Sequence, residues 1–383
     1  MADTSWHSDA YPELRSGPPW VMQEMIAAQP VLAEQMLSSP SPAASAIADE
    51  IASALASARP VTVTGCGTSE HAAQALASLI AGAATPERRA LIRARPALSA
   101  AIDATDGVCL AVSHDGETQA TALAGAAARE AGASTAAITH FPSSSVATAA
   151  DHVLTTPVHD DSWCHTVAYT SALLGGAKIA GALSPVKAEP TAAGELLRHA
   201  IGLDADPIAE RLANNRVLLC AGAGLDHISA RELALKIAEG ARMPTLALEL
   251  ETVLHGQLAG HEASDSLILI AIDDSAHQDR LARRATHVAQ AAAAIGLPVA
   301  AMLSTAYHHL LPPELTPAGR LLIDLPDSTL LDRRLAGLLA GAGALQALTL
   351  SLAHTRNTNP DLIRREEAPY RHAAEAADHA PDW

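Results

Sequence analysis

The chain has 383 residues, enough for two ordinary domains, each with its own core. It is 49% apolar but only 2% aromatic, so its cores must be built from Ala, Leu, Val and Ile, which suits helices packed on buried parallel strands. A formal charge of -17 leaves no basic face for a phosphate backbone, which excludes nucleic acid as a partner. An anionic ligand would therefore have to be held locally, by backbone N–H groups.

Cys66, Cys109, Cys164 and Cys220 fit no C-x-x-C spacing and read as reduced cytosolic thiols rather than disulfides or a zinc site. No metal or cofactor motif is found, so neither is expected. There is no basic segment followed by an apolar run at the start, and no apolar stretch of roughly 18 residues free of charges and breakers. The expectation is a soluble cytoplasmic protein with no membrane contact.

In chain order, residues 1–18 read as a loose arm, followed by an amphipathic segment Trp20–Leu37 interrupted at Pro30 and a helix over Ala43–Ser57. Val61–Thr64 is a strand ending at Gly65-Cys66-Gly67-Thr68-Ser69, with a helix from Glu70 to Ala81. Val108–Val112 is a second strand, ending at Ser113-His114-Asp115-Gly116-Glu117-Thr118 and followed by a helix to Glu130. Thr135–Thr139 and Val153–Thr155 are further strands, and a helix over Thr166–Ala182 closes the half. After the proline-containing stretch Leu183–Thr191, a helix over Ala192–Asn214 leads to strand Val217–Cys220, the turn Ala221-Gly222-Ala223-Gly224 and helix Ile228–Ala241. Strands follow at Thr245–Leu248, Leu267–Ile272, Val299–Leu303 and Leu321–Leu325, then helix Leu330–Ala353 and a polar tail. Short apolar runs alternating with helices imply two α/β halves with doubly wound parallel sheets. Both open with strand, Gly-containing turn and helix, as a duplication would. The expected units are an arm and helix at 1–42, a first domain at 43–182, a linker at 183–192, a second domain at 193–353 and a tail at 354–383.

In open α/β sheets ligands bind beyond the carboxyl ends of the strands. Gly65 and Gly67 permit close backbone approach there, while Thr68 and Ser69 add hydroxyls at a helix start. Ser113, Gly116 and Thr118 repeat the arrangement, and such turns cradle phosphate without Lys or Arg. Ordinary helix capping uses the same residues. Neither loop is a Walker A or a dinucleotide fingerprint. In the second half Lys236 and Glu239 share a helix face, with His255-Gly256 further on. A carboxylate and a histidine suit sugar isomerisation, the first moving a proton between C1 and C2, the second serving the ring oxygen. A surface ion pair with an unrelated histidine fits the same spacing.

These residues carry a resemblance to the SIS (sugar isomerase) family. Met22-x-x-x-Ile26-x-x-Gln29-Pro30 resembles its opening segment, Cys66-Gly67-Thr68-Ser69-x-His71-Ala72 its C-G-T-S-x-H-A turn, and Ser113-x-x-Gly116-Glu117-Thr118 its S-Q-S-G-E-T phosphate loop. Ala137-Ile138-Thr139 with Ser143-Ser144-Ser145, and Glu232-x-Ala234-Leu235-Lys236-x-x-Glu239 with His255-Gly256, follow in the same order. The resemblance covers about residues 20–366 and implies two tandem SIS domains. It places Cys66, Gly67, Thr68 and Ser69 at a sugar and Ser113, His114, Asp115, Gly116 and Thr118 at its phosphate. Glu239 becomes the C1/C2 base, Lys236 its support, and His255 the ring-opening group, delivered by the other subunit of a homodimer. Three features depart from the pattern. Asp115 replaces a serine, where its charge would repel a phosphate unless it turns away or pairs with a cation. Trp163-Cys164-His165 is unlike the family, with His165 among the expected substrate contacts. The tail offers Arg364 where a lysine is expected, and arginine forms no Schiff base. The glutaminase segment of the amino-sugar synthases is not in the sequence, so the resemblance implies an isomerase or deaminase acting on an amino-sugar phosphate. An isomerase or deglycase for a related, unphosphorylated sugar and a non-catalytic sugar-phosphate sensor are the alternatives.

Overall fold

The computed structural model describes residues 7–8, 11–273 and 279–378. The first half holds β1 (Val61–Gly65), β2 (Ile92–Pro96), β3 (Gly107–Val112), β4 (Ala133–Thr139) and β5 (His152–Thr155), all parallel, in the order β2-β1-β3-β4-β5. The second holds β6 (Leu218–Gly222), β7 (Thr245–Glu249), β8 (Ser266–Ala271), β9 (Val299–Ser304) and β10 (Gly319–Ile323), also all parallel. Its order, β7-β6-β8-β9-β10, is the same arrangement again. Two parallel α/β sheets of one topology bear out the expected fold class. Strands β3, β8 and β9 are buried at every residue, because helices cover both faces of each sheet.

Helices α1 (Val21–Ser38) and α2 (Pro42–Ala56) precede the first sheet. Around it lie α3 (Thr68–Ala83), α4 (Ala97–Ile102), α5 (Gln119–Glu130), α6 (Ser145–Thr148) and α7 (Val167–Leu183). The second half adds α8 (Pro190–Ile201), α9 (Asp206–Leu212), α10 (Leu225–Lys236), α11 (Leu250–Leu254), α12 (Asp279–Ala294), α13 (Arg333–Thr355) and α14 (Ala368–Asp378). Helix α3 packs on α7 and α10, and α13 on α8 and α10, so one apolar cluster runs through both halves, from Leu76 and Leu174 to Leu233 and Leu345. Helix α13 has the length and composition to cross a membrane, yet most of its apolar stretch is buried inside the protein. It is the helix around which the halves are assembled.

Several elements differ from expectation. Strand β2 was unexpected, because it carries Arg93 and Arg95 and ends on Pro96, as suits an edge that must not pair further. Helix α1 runs through Pro30, which is buried. The single helix expected over Ala192–Asn214 is two, α8 and α9, parted around Gly202. The polar tail carries a helix, α14.

The two halves share one turn in detail. Gly67 (φ 56, ψ -128) and Gly224 (φ 60, ψ -126) have the same backbone conformation, in the positive-φ region that favours glycine. Two residues earlier, a Cβ on Gly65 would lie 2.6 Å from the Ser69 carbonyl oxygen, and one on Gly222 would lie 2.4 Å from that of Asp226. The chain outside the turn has diverged. Where α3 begins with Thr68 and Ser69, α10 begins with Leu225 and Asp226. The buried Asp226 carboxylate accepts the backbone N–H groups of Ile272 and Asp273, each at 3.1 Å. Burial, with Asp273 nearby, pushes its pKa up to about 7. A carboxyl raised in the folded state favours folding at low pH, and that contribution is lost as pH climbs from the usual carboxyl range through about 7. Asp226→Asn keeps an acceptor oxygen without the charge. Its melting temperature relative to the wild type is therefore expected to rise between pH 5 and about pH 8; a constant difference would contradict the assignment.

Candidate functional site

The carboxyl end of the first sheet presents two helix N-termini that no side chain caps, those of α3 and α5. Their turns are the two singled out in the sequence. Between them, Ser113 Oγ and Thr118 Oγ1 are 3.2 Å apart. Gly116 has φ +73, and a Cβ there would overlap Ser144, so this loop accepts only glycine. A narrow cavity of about 10 Å³ runs down to Thr68, Ser69, His114, Thr139, Thr156 and Tyr169. The buried Thr156 Oγ1 and Tyr169 hydroxyl have no hydrogen-bond partner among the described residues. Together the uncapped N–H groups and spare hydroxyls can hold an anion or a polyol.

Helix α10 supplies the charges. Glu232, fully buried, accepts from Thr68 Oγ1 at 3.2 Å and from His71 Nδ1 at 2.6 Å, so its carboxylate bridges the two halves. Lys236, also fully buried, has its Nζ 3.8 Å from Glu232 and 2.5 Å from Glu239. Burial works against the ammonium charge, but the flanking carboxylates outweigh it and raise its pKa. Glu239 lies one turn on, in a π-helical turn over Ile237–Ala241 that ends at Arg242 in the left-handed region. Such wide turns re-aim a side chain and recur at functional sites. Burial raises the Glu239 pKa, with Lys236 opposing. About a fifth of its side chain remains open, so it can hold a proton yet reach a ligand.

Residues after β3, β4 and β5 form the mouth of the site. His114 is buried, and its Nε2 accepts the Asp160 backbone N–H at 2.9 Å, leaving Nδ1 protonated in the neutral ring. Burial depresses its pKa to about 3 and that of His165 to about 4. Asp160 in turn accepts from the Thr166 and Ala168 N–H groups at 2.6 and 3.0 Å, tying the start of α7 to His114. Asp115 does not stand unpaired beside the cradle. Its Oδ1 is 3.4 Å from His159 Nε2, a contact that lowers the Asp115 pKa and lifts that of His159 to about 9. The repulsion expected of Asp115 is thereby balanced by a cation. A pocket of about 300 Å³ opens here, lined by Asp115, His159, Trp163 and His165 on one side and by Tyr11 and Arg15 on the other. The arm is thus laid over the mouth, with Tyr11 against the Trp163 ring at 4.7 Å.

The structure brings Thr68, Lys236 and Glu239 into one network, and Ser113, His114, Asp115, Gly116, Thr118 and His165 to its mouth. Cys66 is half-buried in the first turn, its Sγ 3.8 Å from the Thr121 hydroxyl. Two expected site residues stand apart within this chain. His255 is 70% exposed and paired with Glu251 at 2.8 Å. Arg364 turns to Glu367 at 3.0 Å and lies over the Tyr370 ring at 4.1 Å, because its backbone is in the left-handed region; Arg365 covers Trp163 instead. Glu232 and His71 join the network although the motifs alone assign them no role; their spacing to Lys236 and Thr68 is the sequence signal. His159 and Asp160 lie in an irregular loop whose sequence carried none.

Removing the cation from this buried set strands two carboxylates. Lys236→Ala is expected to cost about 3 kcal/mol of unfolding free energy in urea titration, near the size found for broken buried ion pairs. A loss under ~1 kcal/mol would show that the lysine charge is not held as described.

Residues 54–175 match the SIS domain family model. Glutamine–fructose-6-phosphate aminotransferase [isomerizing] of Pyrobaculum aerophilum is 27% identical over 299 residues, 74% of this chain and 48% of the relative, so the chain spans about half of that protein's length. Among solved structures, the C-terminal domain of glucosamine-fructose-6-phosphate aminotransferase from Francisella tularensis superposes with a TM-score of 0.74 at 19% identity, over 91% of this chain and 99% of that one. Tagatose-6-phosphate ketose/aldose isomerase from Escherichia coli gives 0.72 at 15% identity, over 92% and 97%. Those likenesses show a shared fold, and over residues 54–175 the chain is similar to the SIS domain family.

Proposed function

We propose that the chain isomerises and deaminates an amino-sugar phosphate, taking an aldose of the glucosamine 6-phosphate type to a ketose phosphate and ammonia. The observation that carries this reading is Glu239, a carboxyl held up in pKa by burial, steadied by Lys236 and still open at one edge. Such a group can take the proton from C2 of the open-chain sugar and return it to C1. The resulting ketose imine then adds water and releases ammonia, so the overall reaction consumes one water and needs no oxidant. The uncapped N-termini of α3 and α5, with Thr68, Ser113 and Thr118, would hold the phosphate and nearby hydroxyls. His159 beside Asp115 supports a phosphorylated substrate, since it balances the Asp115 carboxylate in that loop.

Ring opening needs a second proton carrier, which this reading assigns to His255 of a second copy in a homodimer. Its exposure, and its pairing with Glu251 rather than Glu239, favour delivery from outside. Four free cysteines suit a reducing, cytoplasmic setting.

Ammonia release and ketose formation over a panel of hexosamine phosphates and free hexosamines test the proposal. Wild-type protein is expected to release ammonia from a phosphorylated amino sugar. Glu239→Gln should lower kcat by ~10²–10⁴-fold. Because it also removes the nearest counter-charge of buried Lys236, it should lower the melting temperature, so kcat is compared below the transition, where circular dichroism shows the variant folded. Ketose without ammonia would favour the plain isomerase. Binding without either product would favour a sensor, and turnover unchanged in Glu239→Gln would remove the base from the mechanism.

A further inference from the structure

Four imidazoles gather where the chain leaves β3, β4 and β5. The His114 ring centroid lies 5.3 Å from that of His159, 5.8 Å from His140 and 5.3 Å from His165, and His140 lies 5.4 Å from His159. Asp115 joins them, and ligand atoms of His114, Asp115 and His159 all fall within 4.8 Å of one another. Nothing in the isomerisation chemistry assigned to Glu239 calls for this grouping.

The nitrogens are oriented in a way that selects the role. His159 Nδ1 is 2.9 Å from the Asp161 carboxylate, which can only accept; Nδ1 therefore donates, and Nε2 faces Asp115 at 3.4 Å. His140 Nδ1 donates to the Thr156 carbonyl at 2.9 Å, leaving its Nε2 as the lone-pair nitrogen. A carboxylate or carbonyl fixing the far ring nitrogen is the outer-shell arrangement of metal-binding histidines.

We propose that His159, Asp115 and His114 form a binding site for one divalent ion of the zinc class, open on one side to the pocket under the arm. Two imidazoles and a carboxylate suit zinc and its first-row neighbours better than magnesium or calcium, which prefer oxygen. Three protein ligands leave room for an oxygen of the bound molecule. The ion would bind His159 Nε2 as the neutral ring nitrogen, so uptake releases the proton of a charged His159 imidazole. His114 must give up the Asp160 N–H to present its Nε2, and His140 stands within ring distance as a neighbouring imidazole. No spacing motif could have shown the site, because His159 comes from a different loop than His114 and Asp115, and only the sheet brings the two loops together. Where the bound molecule is the sugar phosphate proposed above, the ion would meet its phosphate or a hydroxyl at the mouth. That clause rests on the proposed function; the metal site does not.

The test uses the full chain, stripped with a chelator and desalted, then titrated with Co²⁺ and read by visible ligand-field absorption and metal analysis. One Co²⁺ per chain is expected, displaced by Zn²⁺. Asp115→Asn and His159→Gln should each weaken uptake at least about tenfold. Both side chains are 40% or more exposed, so the variants are expected to fold, as circular dichroism would verify. His308→Ala, at the separate His308–His309 ring pair, should bind as the wild type does. Absence of stoichiometric uptake overturns the proposal, as does uptake unchanged in both site variants or lost in His308→Ala. Glu239→Gln should keep full uptake, so failure of the metal site and failure of the proton-transfer reading give different results.

Discussion

Lys236 has no exposed surface, and a buried ammonium is tolerable only where carboxylates compensate for its lost hydration. Glu239 does so from the next turn of the same helix and Glu232 from one turn back. Glu232 is itself fully buried and needs donors, which come from the other half of the molecule, Thr68 and His71 on α3. The charge on one residue therefore dictates how the two sheets meet. Helices α3 and α10 must pack closely enough for a 2.6 Å contact, and the Ala-rich faces of α3, α7 and α13 allow that approach. The glycine turn of the first half and Glu239 of the second are then held in fixed register without a covalent link.

The duplicated turn shows how one backbone device was put to two uses. Gly65 and Gly222 both let a carbonyl four residues on come too near for any Cβ, and Gly67 and Gly224 share their dihedral angles. In the first half the helix that follows opens with hydroxyls and leaves its N–H groups uncapped. In the second it opens with Asp226, whose carboxylate is consumed by the backbone at the end of β8. With that carboxyl spent on backbone N–H groups, the second turn acts as a brace, while the first keeps its donors available.

Most of this architecture could be read from the chain, because buried parallel strands and glycine turns leave local marks. Val108–Val112 and Val299–Leu303 are uninterrupted apolar runs, and the turns after β1 and β6 are spelled out by their glycines. Strand β2 escaped notice since an edge strand can carry Arg93 and Arg95 and look like a loop. Pro30 looked like a break because its burial between helices is a property of the assembled core. Within the site, Glu239 and Lys236 were legible from helical spacing. The pairing of Asp115 with His159 was not, since 44 residues and two strands separate them in sequence.

That pairing bears on how so acidic a chain can receive an anion at all. With a formal charge of -17, long-range attraction is absent, and the basic groups near the mouth are already engaged: Arg15 by Glu13 and Glu24, His159 by Asp115 and Asp161. What is left for recognition is short-range: helix N–H groups and hydroxyls, joined by a cation at Asp115 and His159 if the proposed metal site is filled. Short-range donors select by fit rather than by charge, so only a ligand that reaches the cradle and Glu239 together gains enough contact to offset the repulsion outside. Under the proposed function, the acidity of the surface, an apparent obstacle to a phosphorylated sugar, would work as a filter against anions that merely approach.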